Sequence, residues 1–172
     1  MNKIIIYCDG ACLGNPGPGG YAALLMLAHD PTTERVVSGY ESQTTNNRME
    51  LKAALEGLKA LKKKCQVTVF SDSQYVVKGM NEWIKNWQKT GFKNAQKKEI
   101  ANAHLWQELL EASKAHSVTW RWVRGHSGNE LNERVDEIAR EQAGLAQISR
   151  DRFRLRHSCG PGAGALGASQ CF

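Results

Sequence analysis

Residues 7–27 read YCDGACLGNPGPGGYAALLML. The stretch holds one aspartate, Asp9, followed by a run of glycines and prolines and then by seven almost wholly apolar residues. Ahead of it, KIIIYCD reads as a buried strand ending at Asp9. Gly10 to Gly20 reads as a loop, and YAALLML is open between strand and helix on periodicity alone. A glycine-rich loop after a strand is the usual setting of a phosphate cradle, and Gly17-x-Gly19-x-x-Ala22 fits a loose dinucleotide fingerprint. Two features speak against that reading. Pro16 and Pro18 remove backbone N–H donors that a cradle needs, and no Lys-Ser/Thr pair follows. The loop is then a tight link between two strands, and the aspartate at its mouth is the chemical feature.

The rest of the chain extends that pattern. ERVVSGYES reads as a third strand. TTNNRMELKAALEGLKALKKK reads as a helix, with Leu51, Ala54, Leu55, Leu58 and Leu61 on one face and Thr45, Asn46 or Asn47 as its cap. QVTVFSDS is a strand, DSQYVVKGMNEWIKNWQKTGF a helix broken at Gly79 and ending near Gly91, and KKEIANAHLWQELLEASKAH a further helix. SVTWRWVRGH alternates as a strand with Val118, Trp120 and Trp122 on one side. NELNERVDEIAREQAG closes the series as an amphipathic helix with Leu131, Val135, Ile138 and Ala139 inward. Read with YAALLML as a strand, the order is three strands, then alternating helices and strands, which is α/β with a mixed sheet. Residues 1–144 make one domain. Residues 145–172, rich in small residues and arginine, lack periodicity and read as a disordered tail.

Composition narrows the function classes. The chain has 172 residues, 41% of them hydrophobic, enough for one domain with a real core. No apolar run approaches the roughly 20 residues of a bilayer span, and the N-terminus lacks the features of a signal peptide. The five cysteines are scattered and odd in number, which fits reduced thiols and a cytoplasmic protein. Net charge is +6, and it is uneven. Residues 78–98 hold six lysines and one glutamate, and RDRFRLR at 150–156 holds four arginines and one aspartate. A basic segment on a slightly acidic body points to a polyanion, with a solvated lysine-rich helix as the plain alternative.

Four acids each have an ordinary explanation. Asp9 fits an Asp-Gly turn, Asp72 a helix cap, Glu50 the first turn of a helix, and Asp136 an i,i+4 pair with Arg140. Together they say more. Asp9 and Asp72 lie at the carboxyl ends of strands, where open α/β sheets place their ligands. Glu50 and Asp136 flank the buried stripes of their helices. Four acids at the edge of a core repel unless protonated or bridged by cations, and hard oxygen ligands favour Mg²⁺ or Mn²⁺ over zinc. Such ions beside a basic helix suit phosphodiester hydrolysis. His126, in the loop RGHSGNE, is placed to move a proton, or is a plain surface histidine.

DGACLGNPGPGGY, TTNNRMEL, SDSQYV and RGHSGNELNERVDEIAR occur in this order, and over roughly residues 3–144 the chain closely resembles type 1 ribonuclease H of the bacterial kind. The resemblance implies a five-stranded mixed sheet, three antiparallel strands then two parallel, flanked by helices. It implies an Mg²⁺-dependent endonuclease that cuts the RNA strand of RNA/DNA hybrids without sequence preference. Products would be 3′-hydroxyl and 5′-phosphate ends, and the roles removal of RNA primers and R-loops. Asp9, Glu50, Asp72 and Asp136 match the metal-binding acids, and His126 the loop histidine. Asn132 matches an asparagine near the last acid. Asn15, Asn46, Asn47 and Gln74 match minor-groove contacts, Thr45 a DNA-phosphate contact, and Trp83 a deoxyribose platform. Residues 83–100, with Trp87, Lys85, Lys89, Lys97 and Lys98, match the basic handle that grips DNA. Ala11 stands where a serine or threonine is frequent, and Gln88 and Thr90 make the handle less charged than in many relatives. A non-catalytic hybrid-binding module would not need all four acids, and a resolvase or integrase core would not need the Asn/Gln set or the handle. A monomer is the default expectation.

Overall fold

The computed structural model describes residues 1–158, and the structure is built on a five-stranded sheet. Strands β1 (Asn2–Cys12), β2 (Gly17–Leu27) and β3 (Asp30–Thr44) form an antiparallel meander. Strands β4 (Cys65–Ser71) and β5 (Ser117–Trp122) add in parallel to β1, giving the order β3-β2-β1-β4-β5. The helices are α1 (Asn46–Lys59), α2 (Gln74–Lys78), α3 (Ile84–Thr90), α4 (Ala103–Lys114) and α5 (Glu130–Ser158). The expected mixed sheet flanked by helices is what forms.

The ambiguity of YAALLML has a physical cause. Strand β2 is covered on both faces, so it has no polar side to alternate with. Ala23 and Leu25 face the larger core, which includes Ile4 and Ile6 of β1, Leu51, Leu55 and Leu58 of α1, and Trp106 of α4. Ala22, Leu24 and Met26 face the opposite side and pack against Val135 and Ala139 of α5. One helix layer thus fills one face of the sheet, and α5 alone covers the other.

The loop expected over Gly10–Gly20 is much shorter. β1 runs on to Cys12 and β2 begins at Gly17, leaving only residues 13–16 between them. Gly10, Gly17, Gly19 and Gly20 are strand residues whose missing side chains admit a neighbour, and only Gly14, at φ of 79°, belongs to the turn. A Cβ on Gly20 would sit 2.5 Å from the Ala139 carbonyl oxygen and 2.5 Å from the Ala143 nitrogen. Gly20 is therefore where α5 lies down on the sheet.

Three other expectations shift. The helix expected from Lys97 starts only at Ala103. Lys97 and Asn102 have positive φ, and the Asn94 side chain accepts hydrogen bonds from the Gln96 and Lys98 amides, which makes a turn of that segment. The break expected at Gly79 is a π-helical turn over Gly79–Trp83, and the rod continues through it to a left-handed Gly91. The disorder expected from residue 145 does not hold for 145–158, which continue α5. A glycine inside a helix costs only about 1 kcal/mol, and Gly144 is flanked by Ala143 and Ala146, both fully buried. Residues 159–172, the rest of the expected tail, lie outside the described residues.

Replacing Gly20 by alanine forces α5 off β2. Overpacking of this kind costs roughly 1–3 kcal/mol, so chemical denaturation of Gly20→Ala is expected to show a loss in that range. An unchanged midpoint would mean that the close α5–β2 approach does not support stability.

Candidate active site

Register brings the first two acids together. Cys8 of β1 pairs with Ser71 of β4 as the last rung of a parallel ladder, so the next residues, Asp9 and Asp72, emerge side by side where that ladder ends, although β1 itself runs on to Cys12 and does not end at Asp9 as expected. Asp72 is held from behind by the indole N–H of Trp122, which donates to its backbone carbonyl at 3.1 Å. Trp122 is itself half-exposed at the end of β5, unlike Trp120, which is buried as the alternation predicts.

Glu50 arrives from α1. Thr45 caps that helix, its hydroxyl accepting from the Arg48 amide at 3.2 Å. No acid occupies the first turn, so Glu50 sits one turn further in than expected and the helix dipole does not account for it. It is buried, and it faces Asp9 across Gly10. A Cβ on Gly10 would lie 2.5 Å from the Glu50 nitrogen, so only glycine lets α1 start this close to β1. A second tie fixes the same helix. Glu41 of β3 takes both Arg48 (2.7 and 3.1 Å) and Lys52 (2.9 Å). Partial burial pushes the Glu41 carboxyl up, but the Arg48 and Lys52 hydrogen bonds outweigh it and hold the group at about 2.

Asp9, Glu50 and Asp72 consequently have carboxylate oxygens within 4.8 Å of one another. Asp9 is 2% and Glu50 4% exposed. Burial pushes the Asp9 carboxyl from 3.8 up to about 8; a hydrogen bond with Glu50 works against this, and the charges of Asp72 and Asp136 add to it. Glu50 is raised well above its ordinary value, first by burial and then by the Asp9 charge. Cys8, beneath them, is also raised, by burial and then by Glu50, Asp9 and Asp72. The Gly10 amide donates to Asp9 Oδ1 at 2.9 Å, whereas Glu50 Oε2 is buried with no hydrogen-bond partner. An orphaned acceptor between carboxylates suits a divalent cation bound by hard oxygen ligands.

A pocket of about 460 Å³ opens over this group, bordered by Asp9, Glu50, Asp72, Asp136, His126 and Asn46 among others. Asp136 reaches the pocket but stands outside the tight group of three. Its Oδ2 accepts from Arg140 Nε at 3.0 Å, the i,i+4 pair foreseen as its alternative explanation. His126 is exposed, with φ of 55° in the loop before α5. Asn132 is buried, and its Oδ1 has no hydrogen-bond partner.

None of the other candidates borders the pocket. Asn15 accepts the Asn46 amide at 3.1 Å and so ties the β1–β2 hairpin to the start of α1. Asn47 and Gln74 are exposed at the first turns of α1 and α2. Lys85, Lys89, Lys97 and Lys98 are all exposed. Trp83 is exposed beside Trp87, 5.8 Å between ring centroids, and Trp87 is partly buried against Trp106 and Phe92. Sequence reasoning passed over Cys12 and Ser73, which border the pocket, and Trp122. Their positions follow from β1 running past Asp9 and from β5 ending level with Asp72, neither of which leaves a sequence signal.

The family model for RNase H matches residues 1–144. A ribonuclease H of Pelobacter propionicus is 53% identical over 140 residues, covering 81% of this chain and 84% of the relative. One of Cupriavidus metallidurans is 52% identical over 149 residues, covering 87% and 99%. Among solved structures, LC9-RNase H1, described as a type 1 RNase H with the type 2 active-site motif, superposes with a TM-score of 0.76 at 31% identity, over 99% of this chain and 85% of that one. LC11-RNase H1, solved in complex with an RNA/DNA hybrid, gives 0.63 at 25% identity, over 83% and 98%. Fold, motifs and relatives agree, and the chain belongs to the ribonuclease H family of nucleases, in its bacterial type 1 branch.

Proposed function

We propose that the protein is a metal-dependent endoribonuclease that hydrolyses the RNA strand of RNA/DNA hybrids, leaving 3′-hydroxyl and 5′-phosphate ends without sequence preference. The observation that carries this reading is the group of three carboxylates within 4.8 Å, two of them buried. Such crowding destabilises a protein that does not use it.

Asp9, Glu50 and Asp72 are the residues that would hold divalent metal, Mg²⁺ by preference and Mn²⁺ as the alternative, with Asp136 as a further ligand from across the pocket. When bound, the metal supplies charge neutralisation and Lewis acidity at the scissile phosphate. The chain's own residues do the rest. Asp9 and Glu50, fixed by β1 and by the capped and clamped α1, give a site that needs no rearrangement to receive charge. His126, in a loop at the open side of the pocket, moves a proton to or from the reacting oxygens or assists product release. Asn132 orients the last acid from within α5.

Substrate contacts follow the same geometry. Asn46 at the pocket, with Asn15 bonded to its amide, Asn47 and Gln74, offers short polar side chains to the groove and to RNA 2′-hydroxyls, which distinguish RNA from DNA. Thr45, whose hydroxyl already caps α1, meets a DNA phosphate. Trp83 stacks against a deoxyribose next to Trp87. Lys85, Lys89, Lys97 and Lys98 line a basic handle for the DNA backbone, and the resulting affinity falls with salt. The proposed setting is the cytoplasm, the proposed roles are primer and R-loop removal, and the proposed state is a monomer. Among the described residues, no helix is long and apolar enough to cross a membrane.

A labelled RNA/DNA hybrid is expected to be cut with Mg²⁺ and spared with EDTA, and single strands and both homoduplexes are expected to survive. An intact hybrid in Mg²⁺ would overturn the reading. A second outcome links activity to stability. Because the folded, metal-free protein keeps a proton on Asp9 up to about pH 8 while the unfolded chain releases it near 3.8, stability in EDTA falls as pH rises through that window. Asp9→Asn removes the penalty. It is expected to abolish turnover while retaining hybrid binding, and to melt higher than the parent in EDTA above about pH 8. A lower melting temperature there would contradict the crowding argument.

A further inference from the structure

The family model matches residues 1–144, but α5 continues to Ser158. This extension carries Arg150, Arg152, Arg154 and Arg156 against a single acid, Asp151. Its root is anchored by buried Ala146. Beyond that anchor the apolar side chains are left in solvent: Phe153 is 60% exposed, and Tyr40, on the edge strand β3, is 46% exposed. Tyr40, Ile148, Arg152, Phe153, Arg156 and His157 border a groove of about 690 Å³, larger than the carboxylate pocket and sharing no lining residue with it. Among the described residues, no acidic side chain borders this groove. The Phe153 and His157 rings stack with centroids 3.9 Å apart and planes 27° from parallel, so each covers one face of the other and the pair is held as one aromatic stack.

We propose that this groove binds single-stranded polynucleotide, RNA or DNA, as a second nucleic-acid site beside the hybrid-cleaving one. Exposed rings with arginines interleaved are the combination that single strands require, since bases stack on the rings and phosphates pair with the guanidinium groups. A duplex conceals its base faces and would use only the arginines. A second copy of the chain would bring one arginine row against another, and like charges oppose that contact. An acidic peptide would satisfy the arginines but has no planar groups to match the Phe153–His157 surface. A strand running out of a hybrid carries both features, so the extension would retain substrates that have unpaired flanks.

The test measures binding of fluorescent oligo-dT and oligo-U, each about 20 nucleotides long, to the full chain in EDTA across a salt series. Phe153→Ala is expected to weaken both by roughly five- to a hundred-fold, the loss of one stacked base. Arg152→Gln with Arg156→Gln, the two arginines that border the groove, is expected to make the salt dependence shallower by about 1.4 in log–log slope. Phe153→Tyr, which keeps a ring, is expected to bind as the parent does. Cleavage of a blunt hybrid is expected to be unchanged in every variant, so failure of the groove is separable from failure of the hybridase reading. Unchanged oligonucleotide binding in Phe153→Ala and in the arginine pair overturns the proposal. Loss in the arginine pair alone also overturns it, because the groove would then be a charged patch without stacking. Concentration-dependent dimers in sedimentation that Phe153→Ala abolishes, with oligonucleotide binding intact, would assign the groove to a second copy instead.

Discussion

Mutual repulsion among Asp9, Glu50 and Asp72 is the constraint that the surrounding structure answers to. Carboxylate oxygens within 4.8 Å of each other, two of the three on buried residues, cannot all ionise without a counter-charge. Left to themselves the elements carrying them would separate. They are prevented from doing so by contacts that have little chemistry of their own. The parallel β1–β4 ladder fixes Asp9 beside Asp72. Gly10 removes the one Cβ that would hold α1 away. The Thr45 cap and the Asn15–Asn46 hydrogen bond set where α1 begins.

The Glu41 clamp illustrates how the cost is carried. Its carboxyl is partly buried yet held at about 2, because Arg48 and Lys52 both donate to it. Both partners lie on α1, on either side of Glu50 in sequence. The same helix therefore carries the two cations that satisfy Glu41 of β3 and presents an unsatisfied acid, Glu50, to the pocket. Favourable electrostatics outside the site hold unfavourable electrostatics inside it. That is the expected arrangement where a site is prepared for a charge that is absent from the apo protein.

Much of this was legible in the sequence, and the gaps have specific causes. Asp72 follows the last residue of β4, as its strand pattern indicates, whereas β1 continues past Asp9 to Cys12 and the strand end expected at Asp9 is not there. The β2 segment was not legible, because burial on both faces erases alternation. Glycines 17, 19 and 20 imitated a loop because sequence does not distinguish a glycine needed for turning from one needed for close approach. Gly144 imitated a helix end, although Ala143 and Ala146 carry the burial straight through it. Asp136 could not be separated from its pairing with Arg140, and in the structure it both pairs and borders the pocket. Of the Tyr40–Phe153 groove only the arginine-rich 150–156 segment was legible, since the groove itself exists only where the edge of β3 faces the end of α5.

The account rests on protons that occupy the carboxylate group until a cation replaces them. Titration calorimetry of the EDTA-stripped, dialysed protein with Mg²⁺ at pH 7, repeated in buffers of different ionisation enthalpy, counts those protons directly. With Asp9 at about 8 and Glu50 raised as well, binding should release about one proton or more per protein. Mg²⁺ binding with no proton release would show that the three carboxylates are already ionised at neutral pH, and the central claim would fail.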